Sequence, residues 1–379
     1  LREVDLESGG TFDPFADVVT VYRTEVRDGE VWVDLRADGR NHTARWLGRL
    51  QDGLEQNLSL VMAKSILALE DLGTPAAELL RIGGLYGTRY RQAGWGPGLT
   101  IMTAMANVLP DLAGEHRPLA LYHGLTRVAR DSAGQPPRFD LDPLPDPTTP
   151  RERLAQWYRE FIQVRHSDGA ERCLRTAIAQ GATLAQVAAV MGAAATDHPY
   201  LNTGHTLDFT NKAFELLEHI GWQHAADVLP SLVGQTARAA RNEESSAWRY
   251  PIDLIAILHD AEAQLPALLA RGERDGRPWD RFEATIEALL DDQPESGVQA
   301  LGQALAEGAA LSDVSQALCY AAALRIARFH TSNEFGDWIT VLHTFSYCNA
   351  LDHMLERAPT PELARGLFAG ALAIYLDRF

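Results

Sequence analysis

The spacing of hydrophobic and polar positions changes near residue 43. Residues 17–36, DVVTVYRTEVRDGEVWVDLR, alternate apolar and polar side chains on both sides of an Asp28-Gly29 pair. A two-residue period around a central Asp-Gly is typical of a β-hairpin. From residue 43 to the end, segments rich in Ala and Leu follow the 3.6-residue period of helices. The pattern predicts a mainly α-helical protein with a short N-terminal β-hairpin.

The helical part contains a weak internal repeat. A glycine separates two helical stretches within each of the segments 68–80, 177–188 and 304–318. Downstream, GLTIMTAMANVL, GHTLDFTNKAFELL and LHTFSYCNALDHML align without gaps, so that His205 matches His343 and the first copy has Leu99. A closing helix follows each of them. We expect three degenerate helical repeats stacked around a central site, the alternative being chance similarity between Ala- and Leu-rich helices.

Changes in composition along the chain predict where it divides into segments and domains. Residues 132–150 and 271–279 are rich in Pro, Gly and Asp and have the character of connections between helical layers. Residues 1–42 carry the hairpin pattern, and residues 43–379 carry the helical one. We therefore expect a hairpin segment over 1–42 and one helical domain over 43–379.

Charge and cysteine content exclude several classes of partner. The net charge of −17 argues against a nucleic-acid partner, since binding to phosphates needs basic patches. No run of about 18 apolar residues predicts a membrane span. The three cysteines are widely spaced, without a CxxC pair, which favours a reducing cytoplasm over a disulfide-rich compartment. The sequence does not predict an oligomeric state.

Residues 198–212, HPYLNTGHTLDFTNK, concentrate polar side chains on one helical face. His205, Asp208 and Lys212 fall at i, i+3 and i+7, whereas Pro199 and Gly204 place His198 in the turn before the helix. Such a face is either a solvated stripe or the wall of a site. As part of a site, Asp208 would orient a histidine, and Lys212 would pair with Asp208.

Four of the twelve histidines lie in apolar or glycine-rich contexts on helices that the repeat makes equivalent. They are His123, His198, His205 and His343. Neutral imidazoles in an apolar core leave unpaired nitrogens unless a metal or a water network binds them. The sequence therefore predicts one metal site from these four residues, the alternative being separate hydrogen-bonded core histidines.

Lys64 is the second unusual side chain, because only two of the 34 basic residues are lysines. It lies in LSLVMAKSILAL, where apolar residues flank it at helical spacing on every side. A buried lysine tends to be neutral, and a neutral amine can add carbon dioxide to become a carbamate, an anionic oxygen ligand. The alternative is a side chain whose stem covers the core while its ammonium reaches water.

The helical part resembles the questin oxidase-like family. HPYLNTGHTLDF is similar to the family's His-Pro-x-x-His-x-Gly stretch, with Asn202 at the family's second histidine and His205 one turn later. Asn202 would then support the metal ligands through a hydrogen bond. LYHGL matches a His-Gly segment through His123. This resemblance implies a non-haem iron enzyme that uses dioxygen on anthraquinone-type polyketides, as part of secondary metabolism. It also implies iron bound by histidines and a carboxylated lysine. In this chain Lys64 would stand where the family has histidines, and His343 would stand where the family has the modified lysine.

Residues 10–36 resemble the closing hairpin of a Rieske [2Fe–2S] domain. The Cys-x-His and Cys-x-x-His pairs that hold such a cluster do not occur in this chain. We therefore expect any [2Fe–2S] cluster on a segment or partner outside this chain, where it would act as an electron donor.

Together these patterns and the resemblance predict an enzyme, a metal-dependent oxygenase that acts with O2 on an aromatic small molecule. The resemblance further implies that the reaction is an oxidative ring cleavage. Fe(II) is the expected metal, and Zn(II) fits the same ligands. Trp338, Phe345 and Tyr347 would form the substrate pocket or simply core. Two alternatives stay open, a metal-free helical scaffold that binds another protein and a zinc hydrolase or lyase.

Overall fold

A computed structural model describes residues 4–5, 11, 13–16, 19, 21–35, 42–275 and 277–378, and it is mainly α-helical, as predicted. The predicted hairpin is formed by β1 (Arg23–Arg27) and β2 (Glu30–Asp34), which pair antiparallel with Val26 opposite Val31. Asp28 and Gly29 both have positive φ, 52° and 84°, as a two-residue type I′ turn requires. Residues 17, 18, 20 and 36 of the predicted hairpin lie outside the described residues.

The chain forms two compact units, so residues 43–379 do not cluster as one body. The first unit comprises residues 1–90 and 96–136. Its helices are α1 (His42–Glu55), α2 (Ser59–Asp71), α3 (Ala76–Arg89), α4 (Pro97–Val108) and α5 (Arg117–Ser132). Helix α5 packs against the other four. Gly124 allows α4 to come close, since a Cβ atom there would lie 2.8 Å from the Met102 Cα.

The second unit comprises residues 91–95 and 137–379. Its helices are α6 (Arg151–Gln163), α7 (Ser167–Ala179), α8 (Leu184–Thr196), α9 (His205–Ile220), α10 (Ala225–Val228), α11 (Pro230–Ala237), α12 (Leu254–Asp275), α13 (Phe282–Leu289), α14 (Pro294–Ala306), α15 (Leu311–Arg328), α16 (Phe335–Arg357), α17 (Pro361–Ala364) and α18 (Gly366–Leu376). Every residue of α18 from Gly366 to Tyr375 is buried, which explains its almost uniformly apolar sequence. Within the described residues, no helix is long and apolar enough to cross a membrane.

The predicted order of repeated elements occurs three times. Gly73, Gly181 and Gly308 separate α2 from α3, α7 from α8 and α14 from α15, and each has a positive φ, at 71°, 76° and 91°. Such a left-handed glycine is a common way to end a helix. The aligned helices α4, α9 and α16 follow, and then α5, α11 and α18. The first copy lies in the first unit, and the other two lie in the second.

Helices α9 and α16 run side by side in the same direction. Gly204, just before α9, approaches Tyr347, and near the other end Arg357 forms an ion pair with Glu218, with Nε 2.6 Å from Oε1. Both contacts join residues about 140 positions apart, close to the offset of the ungapped alignment. Equivalent positions of the two repeats therefore become neighbours.

Candidate functional site

His205 and His343 form the pair that this arrangement brings together. Their ring centroids are 4.3 Å apart, with the rings at 65° to one another, and Phe209 lies 4.9 Å from the His205 ring. Both imidazoles are half-buried. Among the described residues, none forms a hydrogen bond with either ring. The pair thus presents nitrogen atoms that no described residue binds.

Burial determines the protonation of this pair. Desolvation lowers the pKa of both imidazoles below the ordinary value, and the neighbouring His343 lowers that of His205 further. Both rings are therefore neutral near pH 7, and each has one nitrogen lone pair. A neutral imidazole with a free lone pair can bind a metal ion or accept a proton.

A strained turn positions His205 at the first residue of α9. Tyr200, Asn202 and Thr203 have positive φ values of 49°, 51° and 53°, and Gly204 follows at 86°. The left-handed region is unfavourable for residues with a Cβ atom, above all for a β-branched one such as Thr203. Three such residues in one short segment are a departure from ordinary loop structure, and strained backbone often occurs at functional sites.

The segment 240–244 holds this turn in place. The Asn202 N–H donates to the Ala240 carbonyl at 2.9 Å, and the Asn242 amide donates to the Tyr200 carbonyl at 3.1 Å. From α16, Thr344 forms a hydrogen bond with the Tyr200 hydroxyl at 3.1 Å. Asn202, expected to support metal ligands, therefore supports the backbone that presents His205.

Asp208 lies one turn into α9 and is only 9% exposed. Burial raises the pKa of its carboxyl to about 6, against the opposing effect of the nearby Lys212 charge. The predicted ion pair between these two residues does not form, because the Lys212 ammonium donates to Glu215 at 2.7 Å. Within the described part of the chain, Asp208 accepts no hydrogen bond. It is a carboxyl poised between its charged and neutral forms near pH 6.

His198 has a different environment from the histidine pair. It is in the turn after α8, as predicted, and it is 8% exposed. Its Nδ1 forms a short hydrogen bond with Glu243, and its Nε2 lies 2.7 Å from the Gln163 Oε1. Because both ring nitrogens are engaged, neither is open to a metal in this structure. The sequence did not indicate Glu243 and Gln163 as partners, since nothing in a single sequence pairs a distant loop with a helix end.

The remaining predicted ligands belong to the first unit. His123 is exposed on α5. Lys64 is half-buried on α2, and its ammonium donates to the Phe15 carbonyl at 3.0 Å. That contact is the one expected of a side chain whose stem lies on apolar surface and whose charge reaches a polar group. The roles of both residues in a metal site, including the carbamate, stay predictions.

The three predicted pocket aromatics lie along α16. Trp338 packs edge-on against Phe329, with ring centroids 5.1 Å apart, and Phe345 is half-buried. Tyr347 is a core residue, because it is 1% exposed and its hydroxyl donates to the Gly366 carbonyl at 3.1 Å. Of the three, Trp338 and Phe345 keep enough exposure to contact a ligand.

The site thus offers two imidazoles as metal ligands. No group of three or more His, Cys, Asp or Glu side chains with the geometry to hold a metal occurs among residues that the structure describes. His205 and His343 place two imidazole rings side by side, and a cation bound there would have to take its other positions from water or substrate. Comparisons of this chain with protein families, with curated proteins and with solved structures found no match.

Proposed function

We propose that the second unit is the catalytic part of a metal-dependent oxidoreductase, in which His205 and His343 bind one divalent cation. The observation that carries this proposal is the contact between two neutral imidazoles that have no hydrogen-bond partner among the described residues. The questin oxidase-like resemblance makes Fe(II) the expected cation. When bound, ferrous iron would supply the activation of dioxygen toward an electron-rich aromatic substrate.

The residues around the pair have separate tasks in this proposal. The strained turn fixes where His205 begins α9, and α16 fixes His343 beside it. Phe209, against the His205 ring, provides an apolar surface for a flat substrate. Asp208 holds a proton below about pH 6 and releases it above, so it is suited to bind a proton during turnover. A [2Fe–2S] electron donor would come from a segment or partner outside this chain.

Metal content tests the proposal directly. We expect chain purified without oxygen to hold about one iron per chain by mass spectrometry, and His205→Ala and His343→Ala to lose it. His353→Ala is the matched control, because His353 is also half-buried on helix α16 but forms a hydrogen bond with Glu356, and this variant should keep its metal. Equal metal content in all four proteins, or no metal in any, would overturn the proposal.

Two other functions correspond to defined outcomes of this experiment. Zinc in place of iron, lost in the same two variants, would favour the hydrolase or lyase, since zinc supports no redox chemistry. The threefold order of helices favours a repeat scaffold that binds another protein, and absence of metal from every variant would leave that function.

A further inference from the structure

A cavity of about 240 Å³ lies between α6, α7 and α8, and it shares no residue with the histidine pair. Its walls are mainly aliphatic and include Leu154, Leu174 and Val187. An apolar cavity of about 150 Å³ is enough to take up benzene in other proteins. This cavity therefore has room for an aromatic ring with a small substituent.

One polar side chain of the cavity has no hydrogen-bond partner among the described residues. Tyr158 lines the cavity and is 1% exposed. In the described part of the chain, no residue forms a hydrogen bond with its hydroxyl. Because Tyr158 lines the cavity, a ligand bound there can accept a hydrogen bond from its hydroxyl. Cys173, a buried free thiol, lines the same cavity and adds a weak donor at most.

The entrance favours an uncharged ligand. Arg151 is at the rim, but its guanidinium donates to the Gln180 carbonyl at 2.5 Å and to the Gln186 side chain at 3.3 Å. Glu152, the next residue, carries the opposite charge and also lines the cavity. A ligand carboxylate would have to displace those hydrogen bonds, whereas a neutral molecule would not.

We propose that this cavity is a binding site for a small, neutral aromatic carbonyl compound, whose ring fills the aliphatic part and whose carbonyl oxygen accepts a hydrogen bond from Tyr158. The site is independent of the metal chemistry proposed for His205 and His343. Failure of one proposal would therefore leave the other intact.

Two probes of nearly equal shape test the hydrogen bond. Acetophenone carries the carbonyl, and α-methylstyrene has a methylene group in its place. Calorimetric titration should give a dissociation constant for acetophenone five- to tenfold lower than for α-methylstyrene, the ratio that a net hydrogen bond gives. Tyr158→Phe should remove this preference while α-methylstyrene binding changes less than twofold. Tyr250→Phe, at an exposed tyrosine, should change neither.

A second pair of variants locates the binding. Ala177 lines the cavity, whereas Ala179 is exposed on the same helix. Ala177→Phe should abolish binding of both probes, and Ala179→Phe should leave it unchanged. Circular dichroism melting of each variant shows that it is folded before titration. No binding of either probe up to its solubility limit would overturn the proposal. Equal affinity of the two probes, or binding that survives Ala177→Phe, would overturn it as well.

Discussion

At the scale of single residues, burial of Asp208 makes the stability of the protein depend on pH. Its carboxyl has a pKa of about 6 in the folded chain, against 3.8 as the ordinary value. Between these values the folded state binds the proton more tightly than the unfolded state. Stability attributable to Asp208 is therefore highest below pH 3.8, falls as the pH rises toward 6, and stays reduced above that.

Asp208→Asn should remove this dependence. At pH 7.5 the variant should be more stable than the parent by about 1–3 kcal/mol, because a buried charge has been removed. At pH 4.5 the difference should be smaller. Urea unfolding at the two pH values measures it, with exposed Asp260→Asn as the control. A gain of the same size at both pH values would mean that charge is not the cause.

The two histidines predict the opposite dependence. Their pKa values are lowered in the folded state, so the stability they contribute is complete above the unfolded value of about 6.5 and is lost as the pH falls below it. His343→Gln should therefore lose less stability than the parent between pH 7 and pH 5. Urea unfolding of metal-free protein measures the difference, and His353→Gln should behave as the parent does. An unchanged slope in His343→Gln would contradict the shift.

At the scale of elements, the turn before α9 determines where the pair forms. Gly204 has a φ of 86°, and a Cβ atom there would lie 2.9 Å from the Tyr200 ring and 3.0 Å from the Tyr347 Cβ. The turn and its contact with α16 thus depend on a residue without a side chain.

Gly204→Ala should destabilise the protein by about 2 kcal/mol or more, since both the backbone conformation and the space oppose the new methyl group. Gly336→Ala is the matched control, because Gly336 is in α16 and has no atom within 4 Å of a new Cβ. The control should gain up to about 1 kcal/mol from helix propensity. Urea unfolding compares the two, and equal effects would mean that the turn is not constrained.

The elements also show how far the sequence could predict this site. The ungapped alignment predicted that His205 and His343 are equivalent, and the parallel packing of α9 and α16 makes equivalent positions neighbours. The Asp28-Gly29 turn and the three glycines between helices could also be predicted, because each of these turns needs a particular residue at that position. The left-handed residues of this turn (Tyr200, Asn202, Thr203 and Gly204) could not be predicted, because hydrogen bonds from segment 240–244 hold the turn.

At the scale of the whole molecule, the sequence could not predict which distant residues contact each other. The local sequence of a histidine does not show whether its ring faces a metal, as proposed for His343, or two polar side chains, as observed for His198. The division into two units was not predicted either, since the helical period continues through both. The order of the repeated helices, in contrast, follows from local residues, and the glycines between helices predicted it correctly.

The central claim is that His205 and His343 bind one metal ion together. X-ray absorption spectroscopy of the Fe(II)-loaded chain counts the imidazole ligands of bound iron and so tests the claim most directly. We predict at least two imidazoles in the parent protein and no retained iron in the His205→Ala/His343→Ala double variant. Iron without imidazole ligands, or iron that the double variant still holds, would contradict the account.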